Sequence, residues 1–150
     1  MFDKPLHEVM DRNVLLTAPV RASVSDVAKL MERQNVGAVV IVDGQRPIGI
    51  FTERDAVFRV IAKGRDPLTT IMSDVMTPAP LVLGPESSYG HAMVLMQEHG
   101  FRHVPVVTDE QVIGMVTSRN ALDPDLEEFV AEERRREHWR HDAPAGPGRC

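Results

Sequence analysis

Val24, Val27, Ala28 and Met31 fall at i, i+3, i+4 and i+7, the apolar stripe of an amphipathic helix. Ser23 with Asp26 three places later marks the start of that helix, and Asn35 and Gly37 close it after Gln34. Ala38-Val39-Val40-Ile41-Val42 is a continuous apolar run of strand length, the pattern of a strand covered on both faces. Asp43-Gly44 signals a tight turn, and Pro47 to Phe51 is the returning strand. Thr52 then caps a second helix from Glu53 to about Lys63, with Ala56, Val57, Val60 and Ile61 as its inner face and Gly64 as its stop. Upstream, Val14-Leu15-Leu16-Thr17 reads as a short strand stopped by Pro19. Residues 1–10 read as a short helical arm ending near Val9-Met10.

The same order of elements returns 65 residues later. Tyr89, Ala92, Met93 and Met96 repeat the helical stripe on a helix from Ser88 to Glu98. Leu81-Val82-Leu83 is its first strand, and Val104 to Val107 with Val112 to Val116 is its hairpin, joined through Thr108-Asp109-Glu110-Gln111. Residues 36–56 laid on 101–121 without a gap give seven identities, among them Gly49/Gly114, Thr52/Thr117 and Arg54/Arg119. A duplication of one strand–helix–strand–strand–helix unit is the economical reading. The fold class it predicts is α/β (α+β), two repeats packed with pseudo-two-fold symmetry. Val75-Met76 echoes Val9-Met10 at an offset of 66, so one residue has been gained or lost between the copies. Residues 65–74 are the connector, with Asp66-Pro67 as a cap and first turn. The expected boundaries are 5–66 for the first repeat and 67–123 for the second. A polar helix follows over 124–141, in which Glu132 meets Arg136 at i,i+4. The tail, 142–150, has nothing to pack and is expected to be disordered.

At about 60 residues, each copy would bury only ~60% of its unfolded surface alone, so the two should share a core. Aromatic content is 5% against 43% apolar, which leaves Val, Ile, Leu and eight Met to fill that core. The net charge of −5 argues against a protein whose main work is gripping nucleic acid, although a local basic pocket remains compatible with it. The single cysteine, Cys150, permits no intrachain disulfide and fits a reducing compartment. No stretch approaches the ~18 apolar residues of a membrane span. Met1-Phe2-Asp3-Lys4-Pro5 carries no basic-then-apolar export signal, so the expected location is cytoplasmic.

Thr52 and Asp55 are the first chemical candidates. A hydroxyl and free N–H groups at a helix start suit an anion, and a carboxylate one turn in can accept hydrogen bonds from two adjacent hydroxyls such as those of a ribose. The alternative is a capping threonine with a dipole-complementing aspartate. The second copy repeats the pair as Thr117 and Asn120. Arg102-His103, ahead of Val104-Pro105, supplies two potential cations for a phosphate, or else a solvated strand edge. The first copy has Gly37-Ala38 there, so the halves are chemically unequal. No glycine-rich phosphate loop, metal-ligand pattern or nucleophile–base set can be assembled, and the His138/His141 pair is too slight a signal for a metal. No enzyme and no metal are expected.

Two such units, each ending in Gly-apolar-x-Thr-x-x-Asp/Asn, together with Val75-Met76-Thr77-Pro78 and Arg102-His103-Val104-Pro105-Val106-Val107, resemble a tandem pair of cystathionine-β-synthase (CBS) domains, the Bateman module, over about residues 5–122. The resemblance implies a regulatory sensor that binds an adenine nucleotide (AMP, ADP or ATP) or a related adenosyl compound between the repeats. It implies that Asp55 holds the ribose and that Thr52, with Arg54 beside it, faces ribose or phosphate. Leu81 and Val82 would form the adenine slot, and Arg102, His103 and Pro105 would come from the other repeat. A second, weaker cleft would use Val14, Leu16, Thr17, Thr117, Arg119 and Asn120. The resemblance further implies a homodimer, with Val57, Val60 and Ile61 on its face, and no membrane partner. The alternative is a ligand-free structural or protein-interaction module, and the two differ in whether Thr52, Asp55, Arg102 and His103 converge on one open cavity.

Overall fold

The computed structural model describes residues 2–10, 15–121 and 132–136, which fall into two units, Met1–Asn120 and Ala121–Cys150. In the first unit the order is α1 (Leu6–Val9), β1 (Thr17–Pro19), α2 (Val24–Gln34), β2 (Ala38–Asp43), β3 (Arg46–Thr52) and α3 (Glu53–Asp55), which continues as a π-helix (Ala56–Ile61). Then come α4 (Met72–Val75), β4 (Thr77–Pro78), α5 (Tyr89–His99), β5 (His103–Thr108), β6 (Gln111–Thr117) and a 3-10 turn (Ser118–Ala121). In the second unit residues 132–136 are helical, and Arg136 reaches Glu132 at 3.5 Å and Glu133 at 3.1 Å. The rest of the polar helix expected over 124–141, and the tail 142–150, lie outside the described residues.

The duplication is written into the strand register. Ala38↔Thr52, Val39↔Phe51, Val40↔Ile50 and Ile41↔Gly49 in β2–β3 become His103↔Thr117, Val104↔Val116, Pro105↔Met115 and Val106↔Gly114 in β5–β6. The irregularity recurs too, between Ile41 and Val42 in one hairpin and between Val106 and Val107 in the other. The hairpins close differently: Gly44 takes the left-handed turn position (φ 65°) in the first, whereas Asp109 and Glu110 both take it in the second. Both long helices are capped alike. Ser23 Oγ accepts from Asp26 N–H at 3.1 Å and Ser88 Oγ from His91 N–H at 3.2 Å. Each then ends on a left-handed residue, Asn35 or Gly100.

The first strand lies later than the sequence suggests. It is Thr17–Pro19, parallel to β2, not Val14 to Thr17, and Val14 itself is outside the described residues. Pro19 is tolerated because β1 is an edge strand. Leu16 C=O and Val20 N–H bond β2, so by alternation the proline nitrogen points away from it. In the second repeat only Leu83 pairs, as a parallel bridge to Val106, so Leu81 and Val82 do not form the expected strand.

The leading arms cross over. Residues 2–7 bond the second repeat, through Leu6 N–H to Ser87 C=O, Tyr89 N–H to Lys4 C=O and Gly90 N–H to Phe2 C=O. Residues 67–73 bond the first, through Met72 N–H to Ala22 C=O and Val24 N–H to Thr70 C=O. Each arm ends with a methionine laid over a glycine of the facing strand. A Cβ on Gly49 would stand 2.3 Å from Met76 Sδ, and one on Gly114 would stand 2.5 Å from Met10 Sδ. Met72 and Val75 thereby complete the core of Val24, Val27, Met31, Val39, Ile41, Phe51 and Val60. Between the repeats β3 lies against β6.

The helix after Thr52 departs from its expected face. From Ala56 the backbone takes i→i−5 bonds, with Ala62 N–H to Val57 C=O at 2.8 Å and Arg65 N–H to Val60 C=O at 3.0 Å. Val60 alone turns fully inward at 3% exposure, while Val57 (49%) and Ile61 (72%), expected inside, face out beside Phe58. Val60 therefore cannot belong to an exposed dimer face.

Candidate functional site

The end of β3 delivers Thr52 into a reciprocal cap. Asp55 N–H donates to Thr52 Oγ1 at 3.3 Å, while Thr52 N–H (3.0 Å) and Thr52 hydroxyl (3.2 Å) donate to Asp55 Oδ2. The carboxylate is buried yet held entirely by protein donors. On its other oxygen, Oδ1, stand the Thr77 hydroxyl at 3.5 Å and Arg59 Nε at 3.4 Å. Arg59 also donates to Met76 C=O at 2.7 Å, which ties the arm of β4 to the helix. The capping reading of Thr52 and Asp55 is thus literally realised, and it leaves the carboxylate fixed in orientation. Asn120 copies half of it. Its Oδ1 accepts from Thr117 N–H at 2.7 Å and from the Thr117 hydroxyl at 3.3 Å.

Two contributors to this site escaped the sequence reading. Arg59 was discoverable, because i,i+4 from Asp55 is a pairing distance on a helix. Thr77 was not, since it is 22 residues away and arrives only through the antiparallel pairing of β4 with Gly49 and Ile50. Arg54 turns outward instead, its guanidinium 5.1 Å from the centre of the Phe58 ring.

The second cluster lies at the start of β5. Burial holds the His103 imidazole below its ordinary pKa. Glu53 pushes the other way from the first repeat, and Arg119 and Arg102 add to the lowering. Glu53, which follows Thr52 in the first repeat, thus acts on His103 of the second, and the sequence reading passed it over. Glu53 also fills the space over Gly37, where a Cβ would meet its carboxylate at 3.5 Å. The second repeat has Ser118 at that position, and a depression of about 690 Å³ opens there, lined by Arg102, Ser118, Met93, Phe101 and Phe2 among others. Thr52, Asp55 and His103 do not line it. The four residues expected around one cavity are thus split: Arg102 faces this depression, and Asp55 is closed over by Thr77 and Arg59. Leu81 and Val82 remain exposed, at 42% and 39%, and Pro105 is buried. On the twin side Leu16 is half-buried and packs on the first repeat's core, and Thr17 is exposed.

Among the described residues no three His, Cys, Asp or Glu side chains are grouped to hold a metal ion, and no helix is long and apolar enough to cross a membrane.

The comparisons with known proteins agree with this architecture. The CBS-domain family model matches twice, over residues 6–62 and 72–125. An uncharacterized protein of Methanopyrus kandleri, MK0525, is 35% identical over 130 residues, which is 84% of this chain; the chain spans 66% of that relative's length, just under two thirds. The structure of a putative signal-transduction protein with CBS domains from Burkholderia ambifaria covers 87% of this chain and 96% of its own, at a TM-score of 0.73 and 26% identity. The Pyrobaculum aerophilum CBS domain protein PAE2072, solved in complex with AMP, covers 86% and 99%, at a TM-score of 0.74 and 22% identity, and shares the fold. With the strand register repeated at a fixed offset and both repeats matched by one family model, this chain belongs to the CBS-domain family, as a tandem pair.

Proposed function

We propose that this chain is a non-catalytic regulatory module that binds an adenine nucleotide at the Thr52–Asp55 end of β3, with the phosphate directed toward Arg102 and His103 of the second repeat. The observation that carries this reading is the Asp55 carboxylate. It is buried and locked by Thr52 on one oxygen, while the other is held only by longer contacts, at 3.4 and 3.5 Å, that ribose hydroxyls can replace. Leu81 and Val82 supply exposed apolar edges for a base. The AMP found in the Pyrobaculum protein supports the ligand class. The Asn120 cleft is the weaker, because an uncharged amide gives up the charge-assisted bond, worth roughly 1.5–3 kcal/mol against about 1 for a neutral pair.

A second reading is favoured by two observations: Thr52, Asp55, Arg102 and His103 do not line one cavity, and every Asp55 contact found here is already satisfied within the chain. In that reading the cap is purely structural and the module serves protein interaction. Its surface would be the exposed Val57, Phe58 and Ile61, the same residues that fit a homodimer face. Calorimetry with AMP, ADP, ATP and S-adenosylmethionine on the wild type, Asp55→Ala and Asn120→Ala separates the two. The nucleotide reading expects about a tenfold loss for Asp55→Ala and little for Asn120→Ala. Absence of heat with every adenosyl compound supports the second reading.

A further inference from the structure

We propose that Arg59, Lys63 and Arg65 form a binding site for a phosphate chain. The three line an open depression of about 510 Å³ together with one carboxylate, Asp74. The backbone builds it. The π-helix ends at Ile61, Gly64 turns the chain in the left-handed conformation (φ 65°), and Arg65 N–H returns to Val60 C=O at 3.0 Å. That turn brings Lys63 and Arg65 to the wall that Arg59 already occupies. Arg59 is pre-set there by its bonds to Met76 C=O and Asp55, with its side chain still 45% exposed. Among the described residues neither Lys63 nor Arg65 is in an ion pair. The depression is lined by three cations and one anion, and with Asp55 counted through its pairing to Arg59 the balance is three against two, still positive in a chain whose net charge is −5. The positions 65 residues on are Pro124, Glu128 and Val130, so the second repeat has no counterpart in its sequence.

Three cationic groups spread around an open depression suit a ligand with several oxyanions in a row, which a chain of phosphoryl groups offers. Two sources carry that chemistry. One is the tail of a nucleotide whose ribose sits at Asp55 but whose phosphates run past Arg59, the reverse of the direction toward Arg102 and His103 proposed above, since Arg59 touches both places. The other is free inorganic polyphosphate, and the site stands on its own geometry in either case.

The test is calorimetry on the full chain with tripolyphosphate, ATP and AMP, using the wild type, Lys63→Gln/Arg65→Gln and Asp74→Asn, with melting temperatures to verify folding. Tripolyphosphate should bind the wild type, about tenfold more weakly to the double variant and a few-fold more tightly to Asp74→Asn, with affinity falling as salt rises. ATP binding more tightly than AMP, with the excess lost in the double variant, identifies the nucleotide tail as the source. Tripolyphosphate binding undiminished by saturating AMP identifies the free polyanion. The arm with tripolyphosphate does not depend on adenine recognition, so failure of the nucleotide reading leaves it intact. Equal affinity of wild type and double variant for both polyphosphates, or no binding of either, overturns the proposal.

Discussion

At the scale of single residues, Asp55 does two jobs that a substitution can separate. Asparagine keeps an acceptor for Thr52, as Asn120 does for Thr117 at 2.7 Å, but gives up the charge facing Arg59. Asp55→Asn should therefore cost a few tenths of a kcal/mol, whereas Asp55→Ala, which also removes the cap, should cost about 0.5–2 kcal/mol. Denaturant melts of the two variants check this, and equal losses would mean that the cap contributes nothing. His103 sets a pH dependence of known sign. Burial depresses its pKa in the folded chain, so below about pH 6.5 the unfolded chain binds the proton more readily. The stability that neutral His103 contributes is present above that pH and is lost as pH falls through the lower, folded value. Between pH 7.5 and 5.5 the wild type should lose more melting temperature than His103→Gln. A bound phosphate would raise the pKa again, so binding should take up a proton at acid pH. The residue chemistry was legible where it was local, as in Thr52-x-x-Asp55, and hidden where it depended on tertiary approach, as with Thr77 and Glu53.

At the scale of elements, the glycine–methionine contacts hold each arm to its strand. Gly49→Ala would force a Cβ to within 2.3 Å of Met76 Sδ and 3.1 Å of Thr77 C=O, and a methionine can yield more readily than backbone. The expected cost is about 1–3 kcal/mol. Met76→Ala should relieve most of it, so the double-mutant cycle should show coupling of opposite sign to the single losses. A strictly additive cycle would show that the glycine is needed for some other reason. These elements were readable from the repeat itself, since Gly49 and Gly114 align on the 65-residue offset. The short strands were not. β1 needs its pairing to β2 before its limits exist, and Leu81-Val82 has strand-like residues but only one bridge nearby, at Leu83. The outward turn of Val57 and Ile61 was equally illegible, because hydrophobic spacing assumes an α-helical ring and the chain adopts the wider π ring after Asp55.

For the whole molecule, the homodimer expected from the sequence would seat its second copy on the exposed Val57, Phe58 and Ile61. Val57→Asp/Ile61→Asp should shift sedimentation from dimer to monomer while leaving the melting temperature nearly unchanged, since neither side chain belongs to the buried core. A wild type already monomeric at micromolar concentration would count against that assembly. The crossing of the two arms has a further consequence, for descent. Residues 67–78 open the second repeat in the chain yet finish the first in space, and residues 2–10 do the reverse. A half-length forebear connected in this way could close its fold only by trading arms with a sister chain. Fusion of two such copies would turn an exchange between strangers into one within a single polypeptide, and would leave Asp55 and Asn120 free to differ.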